Sequence, residues 1–226
     1  GSINELKKIK VEDSYLIMGA MCSHSEIMNN KEVNEKLPIL NKILSHVAHP
    51  AIRNKGTHGG SIAYGDPAAE LPAFAVLTNA EIILSGSDGE RIVSAKEFYK
   101  GLFETVINSD EILTFVKYPI NQNDTKLFFD EVTRRHGDYA MAGLVGSIKQ
   151  NNKINEEINL VFFGTGDRPN EAPKTCEYLL KNEYNYSDIK DILKNDIDFA
   201  SDISSSSDMK AHLSAILVGR MMKELN

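Results

Sequence analysis

The sequence has 226 residues, 42% hydrophobic and 25% charged, which is the composition of a globular protein of one or two domains. A net charge of −7 without any basic run argues against nucleic-acid binding, and no apolar segment approaches the ~20 residues that span a membrane. The two cysteines, Cys22 and Cys176, lie far apart and form no metal motif or disulfide framework, which favours a cytoplasmic location.

The first half of the chain alternates short apolar runs with helical patterns. Ser23 and Glu26, three residues apart, predict a capping box at the start of a helix. The segment 87–90 predicts a hairpin turn, and residues 95–103 are interpreted as a short helix or a loop. The remaining patterns predict strands over 15–20, 81–86, 91–93 and 111–118, and helices over 37–47 and 68–75.

The polar segment 121–124 follows Pro119 and is the best predicted domain boundary, giving domains 1–122 and 123–226. Residues 139–149 are apolar and fit either a helix or a strand. The other patterns beyond the boundary predict strands over 126–133 and 158–163, and helices over 173–180, 186–193 and 208–225. Because strands and helices mix in both halves, the predicted fold class is α+β.

Residues 51–67 contain four glycines and no long apolar run, so they are predicted to form a shaped loop. Gly59 and Gly60 lack a Cβ atom and allow a bulky ligand to approach the backbone closely. Successive backbone N–H groups in such a turn bind anions, and Thr57 and Ser61 add hydroxyl donors. The loop is neither a Walker A motif nor a Gly-x-Gly-x-x-Gly fingerprint. Its chemistry suits a pyrophosphate.

The longer string Ile52-Arg53-Asn54-Lys55-Gly56-Thr57-His58-Gly59-Gly60-Ser61, followed by Asp66-Pro67 and Glu70, closely resembles the flavin-binding subunits of the molybdenum hydroxylases. This family includes the medium subunit of carbon monoxide dehydrogenase and the FAD domain of xanthine dehydrogenase. The resemblance covers essentially residues 3–226, because further family segments match in the same order at 17–20, 111–114, 134–140 and 163–169.

The resemblance implies the second lobe of a vanillyl-alcohol-oxidase-type (PCMH) FAD-binding domain, followed by a small α+β C-terminal domain of the carbon monoxide dehydrogenase flavoprotein type. It implies an oxidoreductase subunit that passes electrons from iron–sulfur clusters through FAD to an acceptor. The implied partners are a molybdenum-containing large subunit and a [2Fe–2S] small subunit. In such enzymes the cofactor supplies the redox chemistry and the protein tunes it.

Carried over position by position, the resemblance implies FAD contacts from eight residues and no catalytic or metal-ligating residue. His58 stands where the family has Ile, and Asp130 stands where the xanthine dehydrogenase type has a flavin-contacting Lys. The implied cofactor-binding residues are Thr57, His58, Gly59, Gly60, Ser61, Glu70, Leu113 and Tyr139.

Several of these residues also have plain structural interpretations. Arg53 is expected to anchor the loop by donating to carbonyls rather than to contact phosphate. A flavin contact by Glu70 has an equally good alternative, in which it is an acid in the first turn of a helix and the helix dipole stabilises its negative charge. Tyr139 heads an apolar run, so a core position competes closely with stacking on the flavin.

The family begins with another lobe, which ends in a first Gly-Gly loop on the pyrophosphate, and this sequence is expected to begin after it. One hypothesis is a truncated flavoprotein, and another is a split flavin subunit whose N-terminal lobe is a separate chain. The alternative function is a flavin-free structural or assembly subunit. With half of the pyrophosphate cradle missing, FAD binding by the chain alone is expected to be weak or lost.

Overall fold

A computed structural model describes residues 3–120, 124–152 and 154–225 of the chain. The predicted boundary at 121–124 lies mostly outside the described residues. Within them, a short 3-10 helix covers Asn4–Lys7. The strands are β1 Ile9–Glu12, β2 Tyr15–Gly19, β3 Glu81–Gly86, β4 Gly89–Ser94, β5 Tyr99–Gly101, β6 Glu104–Thr105, β7 Ile112–Pro119, β8 Thr125–Val132, β9 Ala142–Asn151, β10 Ile154–Phe163 and β11 Asn170–Glu171.

The described residues also form ten α-helices. None of those in the described residues is long and apolar enough to cross a membrane. They are α1 His24–Met28, α2 Lys31–Lys36, α3 Ile39–His46, α4 Pro50–Arg53, α5 His58–Tyr64, α6 Glu70–Leu77, α7 Ala95–Phe98, α8 Pro173–Lys181, α9 Tyr186–Asp196 and α10 Ser207–Leu225.

The first sheet is antiparallel, with the order β1-β2-β7-β3-β4. Period-two alternation places Leu16, Met18 and Val116 on its inner face, where they are fully buried. The β3–β4 hairpin has the predicted turn, because Gly86 pairs with Gly89, whose φ of 104° suits a residue without Cβ. The capping box at α1 is confirmed, since Ser23 and Glu26 bond each other's backbone N–H groups.

The second sheet is antiparallel, with the order β11-β10-β9-β8, and both of its faces are buried. Phe129 and Phe163 stack with their centroids 6.1 Å apart and belong to the same core as the first sheet. Their neighbours Phe128 and Phe162 point the other way, into a core shared with α8, α9 and α10. Helix α6 therefore lies between the two sheets, and the observed class is α+β as predicted.

The main correction concerns residues 51–67, which are not a continuous shaped loop. Two helices occupy much of this segment. Pro50 stands in the first turn of α4, where its missing N–H is harmless, and the hydroxyl of Thr57 caps α5 by accepting from the backbone N–H of Gly60. Helix α5 ends at Gly65, which has a left-handed φ of 64°. The ambiguous segment 139–149 forms β9 from residue 142 onward.

Candidate flavin site

A cavity of about 350 Å³ lies where the first helices meet the loop after β8. Its walls come from the α3–α4 connection, the second half of α5, the start of α6 and the loop 137–139. It brings together three of the residues that the sequence predicted: Ser61, Glu70 and Tyr139. Clefts of this size and mixed polarity are the usual sites of small ligands and cofactors.

The two adjacent glycines of α5 have different environments. A Cβ on Gly59 would lie 2.3 Å from the Cβ of Ala20, so this position permits close packing of α5 on the end of β2. Gly60 is exposed, and a Cβ there would meet only the Thr57 hydroxyl, at 2.8 Å. Neither glycine has a positive φ. Gly60 is therefore the one whose missing side chain leaves space for a ligand.

The predicted nest of free backbone N–H groups is not present in this conformation. The N–H of His58 donates to Cys22, that of Gly59 donates to Ala20, and that of Ser61 donates to Thr57, all at carbonyl oxygens. Only the N–H of Gly60 ends on a side chain, the Thr57 hydroxyl, at 3.2 Å. A phosphate here would depend on the Thr57 and Ser61 hydroxyls and on this weakly held N–H.

A direct cofactor contact from His58 is incompatible with the structure, because the residue has no exposed surface. Its ring turns inward, and its Nε2 lies 3.0 Å from the hydroxyl of Tyr118. Burial lowers the pKa of His58 to about 3, with the nearby His24 as a smaller cause, so the ring is neutral.

Arg53 has the anchoring role that was favoured. Its Nη1 donates to the carbonyls of Val47 and Ala48, each at 2.9 Å, just beyond the end of α3. These two residues line the cavity. The guanidinium therefore fixes one wall of the site and satisfies carbonyls that a helix end leaves without partners.

Glu70 is half-buried in the first turn of α6, and its side chain lines the cavity. Burial raises the pKa of its carboxyl to about 8, and the nearby acids Glu131 and Asp66 add to the rise. At neutral pH this carboxyl therefore keeps its proton and can donate a hydrogen bond into the cavity. Burial therefore has a larger effect on the charge of the Glu70 carboxyl than the dipole of α6 has.

Tyr139 is not a core residue, because its side chain is 73% exposed at the mouth of the cavity. The carboxylate of Asp66 is the main cause that raises the pKa of the Tyr139 hydroxyl. A second aromatic side chain, Tyr64, lines the same cavity and packs on Phe103, with centroids 4.9 Å apart. Exposed aromatic rings beside a cavity offer faces on which a planar ligand can stack.

The loop after β8 is held closely against the α3–α4 connection. Gly137 has a φ of 86°, and a Cβ on it would come within 2.9 Å of the Ala48 carbonyl oxygen. The N–H of Gly164 donates to the Pro67 carbonyl at 2.7 Å, which ties the end of β10 to the segment before α6. The cavity walls thus depend on both halves of the chain.

Leu113 lies in β7, where it is buried and pairs with Leu84 of β3, outside the cavity lining. Asp130 also lies outside the cavity lining, and its carboxylate accepts a hydrogen bond from Arg220 at 2.8 Å. Sequence reasoning missed Tyr64 as a wall residue and Glu131 as a buried acid near Glu70. The available signal was that two adjacent acids, Asp130 and Glu131, continue an apolar run within β8, so that one of them must face the interior.

The residues fit FAD, judged by the chemistry of the site. Gly60 leaves an open approach beside two hydroxyls, the cavity holds a neutral carboxyl donor, and Tyr64 and Tyr139 supply exposed ring faces. No group of three or more His, Cys, Asp or Glu side chains in the described residues could hold a metal ion.

Comparison with known proteins gives the family. Residues 1–121 match the FAD binding domain in molybdopterin dehydrogenase, and residues 128–225 match the CO dehydrogenase flavoprotein C-terminal domain. The chain is 31% identical to the glyceraldehyde dehydrogenase medium chain of Sulfolobus acidocaldarius, over 99% of this chain and 80% of that one. It is 23% identical to the xanthine dehydrogenase FAD-binding subunit of Escherichia coli O157:H7, over 99% and 78%.

Solved structures agree with this assignment. A chain of quinoline 2-oxidoreductase from Pseudomonas putida 86 superimposes with a TM-score of 0.88 at 30% identity, over 98% of this chain and 78% of that one. A chain of carbon monoxide dehydrogenase from Hydrogenophaga pseudoflava gives a TM-score of 0.89 at 26% identity, over 96% and 77%. The chain belongs to the family of FAD-binding medium subunits of the molybdenum hydroxylases.

Proposed function

We propose that this chain is the flavoprotein subunit of a molybdenum hydroxylase complex and passes electrons from iron–sulfur clusters through FAD to an acceptor. The observation that carries the proposal is the cavity in which Ser61, Glu70 and Tyr139 meet, although they are far apart in sequence. When bound, FAD supplies the electron-carrying chemistry, and the protein contributes binding, orientation and control of protons.

The contacts proposed for the cofactor divide by chemistry. The hydroxyls of Thr57 and Ser61 and the exposed backbone at Gly60 bind the pyrophosphate and ribityl end. The protonated carboxyl of Glu70 donates a hydrogen bond within the cavity, and Tyr139 covers the planar end at the mouth. Gly59 and His58 are buried beneath this surface. A contact between Leu113 and the cofactor remains a prediction.

We also propose that the chain divides into domains at 1–122 and 123–226. The five-stranded sheet lies before this boundary and the four-stranded sheet lies after it. Helices α8, α9 and α10 cover the far face of the second sheet and share a separate core with it. The second domain also contributes Tyr139 to the cavity, so it completes the cofactor site.

The partners proposed from the family are a molybdenum-containing large subunit and a [2Fe–2S] small subunit, in the cytoplasm. Exposed apolar side chains support an assembly of this kind. Phe103 packs on Tyr64 of the cavity and is 49% exposed, and the preceding residue, Leu102, is 62% exposed. A tagged chain should co-purify from its native cells with molybdenum and iron, measured by elemental analysis. A preparation free of both metals would contradict the assembly.

Equilibrium titration of FAD with the chain, followed by flavin fluorescence, tests the cofactor site. Weak but saturable quenching is expected of the chain alone, and binding about tenfold weaker again is expected for Tyr139→Ala, because a stacked ring contributes about 1 kcal/mol or more. Tyr186→Ala is the matched control, since that exposed tyrosine lies on α9, outside the cavity lining. Absence of saturable binding would instead favour a flavin-free structural subunit.

A further inference from the structure

The turn between β5 and β6 carries a large apolar side chain where the backbone does not favour one. Gly101 pairs with Glu104, so the turn consists of Leu102 and Phe103. Phe103 has a φ of 54°, a left-handed conformation that such turns usually give to glycine or asparagine. Its side chain is 49% exposed, so complete burial in the core does not compensate for the strained backbone. A bulky residue that persists in this conformation points to a functional role.

The ring of Phe103 packs on the ring of Tyr64, the last residue of α5. The two centroids are 4.9 Å apart and the ring planes are inclined at 44°. Tyr64 lines the cavity, whereas Phe103 lies outside its lining. Because Tyr64 is 61% exposed, the core does not hold its side chain in one rotamer. The contact with Phe103 therefore restricts an aromatic side chain of the cavity wall that would otherwise move.

The β5–β6 hairpin is fixed close to the end of α5. Gly65, which follows Tyr64, has a left-handed φ, and a Cβ on it would lie 3.1 Å from Cγ2 of Thr105 in β6. A glycine at this position therefore lets the hairpin approach the helix end. From the second half of the chain, Nη1 of Arg168 donates to a backbone carbonyl of β5 at 2.8 Å. These two anchors place the tip of the hairpin, and with it Phe103, beside the cavity wall.

We propose that Phe103 is a positioning residue for the cofactor, which holds the ring of Tyr64 ready to stack on the planar end of FAD. The inference rests on the proposed function, since it says how the same cavity orients the same ligand. A ligand that stacks on a mobile tyrosine has to immobilise that side chain, which weakens binding, whereas a ring that is already held is immobilised at no further cost. Folding of the strained turn thus supplies the order before the ligand arrives.

Replacement of Phe103 by glycine separates positioning from a role in stability. The substitution removes the ring and also relieves the strained backbone, because glycine adopts a positive φ readily. The lost contact and the relieved strain act in opposite directions, so the melting temperature without flavin should change little. FAD affinity should nevertheless fall, because Tyr64 loses the neighbour that orders it.

The test is a double-mutant cycle on the full chain, followed by equilibrium titration with FAD and flavin fluorescence. Phe103→Gly should bind FAD about fivefold more weakly, the effect of one side chain that must be immobilised on binding. In a Tyr64→Ala background the same change should have no further effect. Phe103→Tyr keeps a ring and should retain wild-type affinity. Leu102→Ala is the matched control, since that residue lies in the same turn, is 62% exposed and is outside the cavity lining.

Two results of this cycle would overturn the proposal. One is unchanged FAD affinity in Phe103→Gly, and the other is an equal loss of affinity with and without the Tyr64 ring. If the wild type shows no saturable FAD binding at all, the proposed function is refuted and the inference with it. Intact binding that does not respond to Phe103 refutes the inference alone.

Fluorine NMR of the chain labelled with 3-fluorotyrosine gives a readout without flavin. The Tyr64 resonance is assigned from its loss in Tyr64→Phe. It should be displaced from the position of free fluorotyrosine, return toward that position in Phe103→Gly and keep its place in Leu102→Ala. A Tyr64 resonance that Phe103→Gly leaves unchanged would show that the two rings are not in lasting contact, which would contradict the positioning role whatever the FAD affinities.

Discussion

The hydroxyl of Tyr118 lies 3.0 Å from Nε2 of His58, and both residues are completely buried between β7 and α5. This hydrogen bond fastens the glycine-bearing helix to the first sheet. Because burial keeps His58 neutral, the bond joins two uncharged groups in an apolar interior. The bond therefore helps to hold α5 in position, and with it Ser61, which lines the cavity.

Acid should weaken this region. A histidine whose pKa is lowered on folding stabilises the protein above its ordinary pKa of 6.5 and loses that contribution as the pH falls. Each of His58 and the buried His24 should therefore decrease the free energy of unfolding by at most about 1.4 kcal/mol per pH unit below 6.5.

The single change Tyr118→Phe should destabilise the chain by about 1–3 kcal/mol, because it leaves Nε2 of His58 buried without a partner. Adding His58→Ile should recover most of that loss and reduce the acid sensitivity. Chemical denaturation of the single and double variants between pH 5 and 8 measures both effects. Additive effects of the two substitutions would show that the hydrogen bond is unimportant.

Raising the pH from 4.5 to 8 should destabilise the wild-type chain through Glu70. Its pKa is raised on folding from 4.5 to about 8, so its stabilising proton is fully held below 4.5 and is lost as the pH rises through 8. Glu70→Gln lacks this titration, so its melting temperature relative to the wild type should increase between pH 4.5 and pH 8. At pH 8 it should lie several degrees above the wild type. The exposed Glu177→Gln is the control. A melting-temperature difference between Glu70→Gln and the wild type that is the same at pH 4.5 and at pH 8 would contradict a protonated Glu70.

Substitutions at Gly60 should weaken FAD binding much more than they weaken the stability of the chain. In Gly60→Asp the carboxylate lies in the first turn of α5, where negative charge is favourable, but its Cβ displaces the Thr57 hydroxyl that caps the helix. The chain without flavin should therefore lose no more than a helix cap contributes, about 1 kcal/mol. The same charge beside a pyrophosphate should abolish FAD binding. Gly60→Ala, which adds only a methyl group near the Thr57 hydroxyl, should retain weaker binding. Full flavin occupancy in Gly60→Asp would reject the assigned site.

Substitution of Gly137 should lower FAD affinity and stability together. Gly137→Ala places a Cβ within 2.9 Å of the Ala48 carbonyl oxygen in a backbone with φ of 86°, so the melting temperature and FAD affinity should fall together. Gly89→Ala is matched for backbone strain, with a φ of 104° and nothing within 4 Å of the added Cβ. It should destabilise by about 1 kcal/mol and leave FAD affinity unchanged. Equal effects of the two variants on affinity would contradict the packing role.

Local patterns predicted the regular elements well where one signal dominated. The hairpin of β3 and β4 follows from alternation and a glycine turn, and α10 follows from its helical spacing. Helix α5 was missed because Gly59 and Gly60 disfavour helix on intrinsic propensity. Its formation depends on the Thr57 cap and on burial against Ala20, which only the folded chain provides.

The site was predicted in part through family resemblance and less through physics. The resemblance named Ser61, Glu70 and Tyr139, and the structure brings these three into one cavity. It also named His58, whose inward orientation depends on Tyr118, sixty residues later in the chain. Glu131 occupies a strand position that faces the interior, and because Asp130 precedes it, pattern analysis treats the two adjacent acids as solvated.

The cavity takes walls from the segment before α6 and from the loop after β8, which the N–H of Gly164 and the carbonyl of Pro67 hold in register. A ligand seated there contacts both halves, so its binding energy opposes their separation. At a ligand concentration one hundred times Kd this linkage adds about 2.7 kcal/mol to the stability of the whole chain. A bound cofactor should therefore lower the fraction of chains that open and slow their cleavage by proteases.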